Sequence, residues 1–170
     1  MAINTINHWT YYIGPVAYIH KANLSKSDLS GANLFKANLS GSNLSRANLS
    51  KSDISEANLS EVDLTCANLS EANICYTNLS KSDISWADLT RANLSRANLS
   101  RANLSRVDLY EAKCDGTDFT GAAFYHTNFS DATVYDNCIG LSPDQPGTIG
   151  LVIVPTPSDN GADDNDTTKE

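Results

Sequence analysis

The chain has 170 residues with a formal net charge of −8 at pH 7, and 41% of its residues are hydrophobic. Residues 141–170 carry six acidic residues and one lysine, so the net charge of residues 1–140 is only −3. A body this close to neutral excludes strong electrostatic steering toward nucleic acid or an anionic membrane. The sequence also lacks any run of about 18 apolar residues, so we expect no membrane-spanning helix and no membrane partner.

The first predicted element, residues 1–20, is rich in large apolar side chains, including Trp9 and Ile13. These residues lack the basic start, the continuous apolar stretch and the small-residue cleavage site of a secretory signal, which predicts a cytoplasmic protein. We expect an N-terminal cap, with a partner-binding patch as the alternative. Residues 16–20 are in phase with the repeats that follow, which predicts that Ile19 points inward.

The second predicted element is a strict five-residue repeat over residues 21–140, which divide into 24 pentapeptides without an insertion. Every fourth position is apolar, from Leu24 to Ile139, and most second positions are small. A helix would place these fourth-position residues about 140° apart, and a flat strand would alternate them between faces. The period therefore predicts a solenoid that turns every five residues and points the fourth position at a common axis.

The third position of the repeat is mostly Asn or Asp, and the fifth is mostly Ser or Thr. Because Asn and Asp tolerate turn conformations and bind nearby backbone, we expect them to form the corners of the solenoid. The unit Ala22-Asn23-Leu24-Ser25-Lys26 resembles the A(N/D)LSX unit of the pentapeptide-repeat family. The resemblance implies an all-β fold, a right-handed quadrilateral parallel β-helix with four pentapeptides per coil and about six coils.

The repeat weakens near its end, where Cys114 stands at a fourth position and Phe119, Phe124 and Phe129 follow, as expected of capping repeats. The sequence of residues 141–155 predicts a linker followed by one capping strand at 148–154. The alternative is that residues 148–154 form an oligomer interface. The protein is then a monomer, or a dimer through a solenoid end. The acidic tail, 156–170, has almost no apolar content, which predicts disorder.

Residues that could carry chemistry are scattered. The four cysteines form no CxxC pair and the three histidines are isolated, so no metal-ligand spacing is present. The serines belong to the repeat, and no base lies beside a distinctive nucleophile. We therefore predict no catalytic site, no cofactor, no metal and no small-molecule substrate.

The first position of the repeat varies and is expected to point outward. With four pentapeptides per coil, Lys81 stacks beside Arg101, and Trp86 stacks beside Arg106 in a cation–π arrangement. An exposed tryptophan with arginine is typical of a binding hot spot, so these four residues are the candidate partner-binding site. Solvated charge ladders are the alternative interpretation of the first-position charges.

These patterns favour a non-enzymatic structural or protein–protein interaction module whose protein partner is unknown, since solenoids commonly serve as extended binding surfaces. The low-complexity repeat also resembles cytosolic pentapeptide proteins of cyanobacteria, some of which are regulators. The alternative is a DNA mimic that binds DNA gyrase or another topoisomerase, as some family members do. The near-neutral body, the ring of arginines and the absence of inserted loops argue against mimicry. The arginines point out of four different faces, which argues against a nucleic-acid partner.

Overall fold

The computed structural model describes residues 2–6 and 9–157, with side chains from Ile13 onward. The predicted disorder of the tail falls, from residue 158 on, outside the described residues. Within the described ranges the regular elements are strands, and no helix is long and apolar enough to cross a membrane. The strands are Ala2–Ile6 (β1), Trp9–Ile13 (β2), Thr127–Asn128 (β3), Val134–Tyr135 (β4), Thr148–Ile149 (β5) and Ile153–Val154 (β6).

The repeats wind into one parallel ladder. The third residue of each pentapeptide forms a bridge to the third residue 20 positions later, from the Tyr18–Asn38 bridge to the Lys113–Thr133 bridge. Twenty residues are four pentapeptides, so the chain returns to the same side after every fourth repeat. Backbone hydrogen bonds then join each coil to the next, as between the strands of a parallel sheet.

The corners of the coil explain the period of five. From Ile19 to Phe119, the carbonyl of each fourth-position residue accepts a hydrogen bond from the N–H three residues later, as Leu29 accepts from Ala32 at 3.0 Å. The first residue of the next pentapeptide lies inside this turn with a positive φ, which is +64° at Gly31 and is characteristic of a type II turn. The predicted placement of Asn and Asp at the corners is wrong. They lie in the ladder, where Asn43 Oδ1 accepts the Ser45 N–H at 2.9 Å.

The fourth-position side chains fill the axis of the coil. From Ile19 to Leu109, each is at most 3% exposed, which confirms the inward direction predicted for this position. Small second-position residues pack beside them, and buried hydroxyls there donate to backbone carbonyls, as Thr127 Oγ1 does to Leu104 at 2.7 Å. In the described residues, no buried side-chain N or O atom lacks a hydrogen-bond partner. The buried polar side chains of the repeat therefore stabilise the coil through hydrogen bonds.

The end of the ladder departs from the predicted phase by one residue. Asp118 bridges Ile139, 21 residues later, whereas the preceding bridge still ends at Thr133. Ile139 is 57% exposed, so the prediction that it points inward is wrong. Cys138 points toward the axis instead, and its thiol donates to the carbonyl of Cys114. One extra residue therefore lies between Thr133 and Cys138.

Two short strands stand where the sequence predicted one strand over 148–154. β5 pairs in parallel with β3, and β6 pairs in parallel with β4. Between them Gly150 has a φ of +67°, like the other corners. Leu151 and Ile153 pack against the core. The chain therefore continues the parallel ladder beyond residue 140.

At the opposite end, β1 and β2 form an antiparallel hairpin in which Ala2 lies opposite Ile13. Ile13 is 5% exposed and belongs to the same core cluster as Ile19. The core is thus continuous from the end of the hairpin into the first coil.

Candidate functional site

The outward surface of the coil has four edges, each made of first-position residues stacked one coil apart. We name each edge by one member. The Lys81 edge comprises Lys21, Gly41, Glu61, Lys81, Arg101 and Gly121, and the Trp86 edge comprises Lys26, Arg46, Cys66, Trp86, Arg106 and His126. The Arg91 edge comprises Gly31, Lys51, Glu71, Arg91, Glu111 and Asp131. The Arg96 edge comprises Lys36, Glu56, Tyr76, Arg96 and Gly116, beyond which the one-residue shift places Asn137.

Ion pairs join neighbouring coils along three of these edges. They are Lys36–Glu56 at 3.2 Å, Lys51–Glu71 at 3.9 Å, Lys81–Glu61 at 3.4 Å and Arg91–Glu111 at 2.6 Å. All are exposed, so each contributes at most about 1 kcal/mol to stability. The hydrogen bond from Arg91 holds the pKa of Glu111 below its usual value. Every glutamate in residues 16–157 therefore has a basic partner.

The four predicted site residues form two pairs on neighbouring edges. Lys81 turns away from Arg101 and pairs with Glu61 one coil earlier. Lys81 and Arg101 line a shallow depression that opens toward the Arg96 edge. Lys81 and Arg101 therefore lie on the edge next to Trp86 and Arg106, but the four residues do not form one continuous cluster.

Arg106 lies between two exposed aromatic rings. Its Cζ is 4.4 Å from the centroid of the Trp86 ring and 5.6 Å from that of the Tyr125 ring. Trp86 is 57% exposed and Tyr125 is 54% exposed. Sequence reasoning missed Tyr125, although an aromatic residue at a fifth position, where Ser or Thr is usual, was the signal that could have identified it. Cation–π attraction to both rings favours keeping the guanidinium beside them.

A similar aromatic–arginine pair on the Arg96 edge differs in one respect. Arg96 lies 5.6 Å from the Tyr76 ring centroid, but its Nη1 also donates a hydrogen bond to the Tyr76 hydroxyl at 2.9 Å. Tyr76 is 56% exposed, which is close to the exposure of Trp86. This pair matches the Trp86–Arg106 pair in exposure and residue class, and it serves below as a control surface.

A shallow depression of about 400 Å³ lies beside Arg106. It is lined by Tyr125, His126, Gly147, Thr148 and Ile149. The imidazole of His126 packs edge-on against the Tyr125 ring, with centroids 4.3 Å apart, and Ile149 is 50% exposed. Gly147 has a φ of +82°, and a Cβ there would overlap the carbonyl of Phe124. The backbone of this corner therefore packs too closely on Phe124 for any residue other than glycine.

Thiols and carboxylates give no reactive cluster in the part of the chain that the structure describes. No group of three His, Cys, Asp or Glu residues there is placed to hold a metal ion. Cys66 is an exposed free thiol, whereas Cys114 is buried and its burial strongly raises its thiol pKa.

Comparisons with known proteins agree with this architecture. The family model for pentapeptide repeats matches eight copies, over segments 17–50, 42–80, 52–91, 67–106, 87–124 and 102–135. These segments cover more than half of the chain, which therefore belongs to the pentapeptide-repeat family. No curated protein matches the chain at a significant level.

Several solved structures resemble the chain. Rfr23, a pentapeptide repeat protein from the cyanobacterium Cyanothece 51142, is 25% identical, with 72% of this chain and 86% of that chain covered and a TM-score of 0.55. HetL, involved in heterocyst differentiation regulation in Nostoc sp. strain PCC 7120, is 26% identical over 82% and 68% of the two chains, with a TM-score of 0.34. QnrB1, a plasmid-mediated fluoroquinolone resistance protein, is 18% identical over 80% and 88%, with a TM-score of 0.43. The family match and the likeness to Rfr23 make the solenoid a right-handed β-helix.

Proposed function

We propose that the chain is a non-enzymatic interaction module, a β-helical scaffold whose outward first-position residues bind a protein partner. The observation that carries this proposal is the exposed stack of Trp86, Arg106 and Tyr125. Tryptophan, tyrosine and arginine are the residues most enriched in binding hot spots. Lys81 and Arg101 add two bases on the neighbouring edge of the same proposed surface.

The different roles of the repeat positions support a scaffold rather than an enzyme. Second-position hydroxyls donate to backbone carbonyls, and third-position Asn and Asp accept backbone N–H groups. These recurrent polar side chains are thereby committed to holding the coils together. The variable first positions are the ones free to differ from coil to coil, which supports recognition as their role.

We also propose the domain organisation that this function requires. Residues 21–140 form the β-helical body of about six coils, residues 1–20 cap its first coil, and residues 141–155 cap its last. The remaining part of this proposed organisation is the acidic tail, 156–170. The protein acts in the cytoplasm, as a monomer or as a dimer through one end of the solenoid.

The test is a pull-down from cells of the source organism with tagged wild-type protein and two double variants. Trp86→Ala/Arg101→Ala removes the proposed surface, and Tyr76→Ala/Arg96→Ala removes the control pair on the Arg96 edge. We expect a specific partner that the first variant loses and the second retains. Equal recovery with both variants, or no specific partner at all, would contradict the proposal.

The alternative function, a DNA mimic that binds gyrase, needs a continuous acidic track on the solenoid. The pairing of all four glutamates of the body with Lys or Arg along the edges supports the interaction module over such a track. A gyrase supercoiling assay separates the two functions. We expect no inhibition and no protection from quinolones at micromolar protein, and inhibition there would favour the mimic.

A further inference from the structure

We propose that Trp86, Arg106, Tyr125 and Ile149 form a recognition site for a carboxylate followed by an apolar side chain, within an extended segment of another protein. This inference rests on the proposed interaction function and names the chemistry of the partner. The carboxylate binds Arg106, and the apolar side chain enters the depression beside Tyr125.

The charge on the Trp86 edge is the first reason to expect a carboxylate. Each of the other three edges carries at least one acidic first-position residue, whereas the Trp86 edge carries none. Arg106 accordingly has no ion pair among the described residues, unlike Arg91 on its own edge. A guanidinium that contacts aromatic rings through its π face still has N–H donors in a planar fork, which matches the two oxygens of a carboxylate.

Two carboxylates on the coil sides that adjoin the Trp86 edge are engaged by the ladder. Asp83 Oδ1 accepts the N–H of Ser85 at 3.0 Å and an amide N–H of Asn103 at 3.2 Å. Asp108 is held in the same manner, by the N–H of Tyr110 at 3.0 Å. These bonds direct the carboxylates toward their own backbone, so Arg106 remains available to an external anion.

The depression beside Arg106 supplies the apolar half of the site. The rings of Tyr125 and Trp86 and the side chain of Ile149 are all at least half exposed. Such apolar area in contact with water gains free energy when an incoming side chain covers it. Gly147 lines the depression where the Trp86 edge reaches the last coil, and it contributes no side chain to cover the apolar surface.

The composition of the chain's own tail assigns this site to another protein. Residues 158–170 carry five acidic residues, but Ala162 is their only hydrophobic residue. The tail therefore offers carboxylates without the apolar neighbour that the depression accepts.

Fluorescence anisotropy with three labelled dodecapeptides and the full-length protein tests the inference. The probe repeats Ser-Gly-Glu-Leu, the first control replaces Glu by Gln, and the second replaces Leu by Ser. We expect the Glu-Leu probe to bind about tenfold more tightly than the Gln control and about fivefold more tightly than the Ser control. Arg106→Gln abolishes the preference for Glu, and Ile149→Ser abolishes the preference for Leu. The matched variant Arg96→Gln preserves both preferences.

Each variant should lose one preference and keep the other: Arg106→Gln still prefers Leu to Ser, and Ile149→Ser still prefers Glu to Gln. An unfolded variant would lose both preferences, so it cannot imitate this result. Equal binding of the Glu and Gln probes, no binding of the Glu-Leu probe, or an unchanged preference in Arg106→Gln would each overturn the inference. A full-length variant with a neutralised tail (Asp to Asn, Glu to Gln) should bind the probe as the wild type does. A tenfold gain would instead assign the site to the tail and overturn the assignment to another protein.

The two proposals fail differently. If the pull-down partner depends on Trp86 and Arg101 but the probes show no preference, only the partner chemistry is wrong. If the partner is indifferent to those two residues, the proposed function is wrong whatever the probes show.

Discussion

Replacing Gly31 by alanine tests the geometry of the corners. Gly31 has a φ of +64°, and a Cβ built on it would meet no atom within 4 Å. The substitution therefore adds backbone strain without a steric clash. Most first positions, including Cys66 at +59°, carry L-residues in this same left-handed conformation.

Two opposing effects decide the sign. Holding an L-residue in the left-handed region costs about 1–2 kcal/mol, whereas alanine restricts the unfolded chain relative to glycine and recovers about 0.4–1 kcal/mol. We expect Gly31→Ala to lower the free energy of unfolding by about 1 kcal/mol. For a domain of this size the melting temperature then falls by roughly 3 °C.

Thermal and urea unfolding of Gly31→Ala against the wild type measure this loss. A second comparison uses two variants of Cys66, an L-residue at an exposed corner. There, Cys66→Gly should be about 1 kcal/mol more stable than Cys66→Ala, by the same two effects. A more stable Gly31→Ala, or equal stability of the two Cys66 variants, would refute the claim that the corners store left-handed strain.

Three further predictions concern charge, thiols and core. Because Arg91 depresses the folded pKa of Glu111, the contribution of this pair is present above the ordinary carboxyl pKa of 4.5 and is lost as pH falls through the lower folded value. Urea unfolding should therefore show a lower free energy of unfolding for Glu111→Gln than for the wild type at pH 7, and little difference below the folded pKa. An equal loss at both pH values would contradict this. Exposed Cys66 should react with a thiol reagent in the native protein. Cys114 should react only after unfolding, because it is buried and burial raises its thiol pKa. Rapid reaction of Cys114 in the native protein would contradict its burial. Replacing the fully buried Leu104 by alanine should lower the free energy of unfolding, measured in urea, by about 3 kcal/mol. A loss below roughly 1 kcal/mol would contradict a close-packed axis.

Most of the fold follows from the repeat because one five-residue unit determines both the corner and the inward side chain. The prediction was wrong near residue 138, where the repeat no longer has an Asn or Asp at its third position. Cys138 and Ile139 are both apolar, so nothing in the pattern decides which of them points inward once the Asn or Asp marker is missing. The single strand predicted over 148–154 was wrong for a related reason, because Gly150 introduces a corner within an otherwise apolar run.

The candidate site was predictable as a column of residues but not as a set of contacts. A spacing of 20 brings Trp86 and Arg106 together, and the structure places them in contact. The same spacing puts both Glu61 and Arg101 next to Lys81, and the long side chain of Lys81 pairs with the opposite charge. Tyr125 comes from a fifth position, so a search confined to first positions does not include it.

Site-specific photocrosslinking in the source cells tests most directly whether one side of the solenoid carries the partner. A benzophenone amino acid at Ser105 lies on the side that ends at the Trp86 edge, and one at Ser95 lies on the opposite side. Both are fifth positions, where Phe35 and Tyr110 show that the fold accepts an aromatic residue. We expect a discrete crosslinked partner from position 105 and none from position 95. Crosslinks of equal yield from both positions, or none from position 105, would contradict the proposed interaction surface.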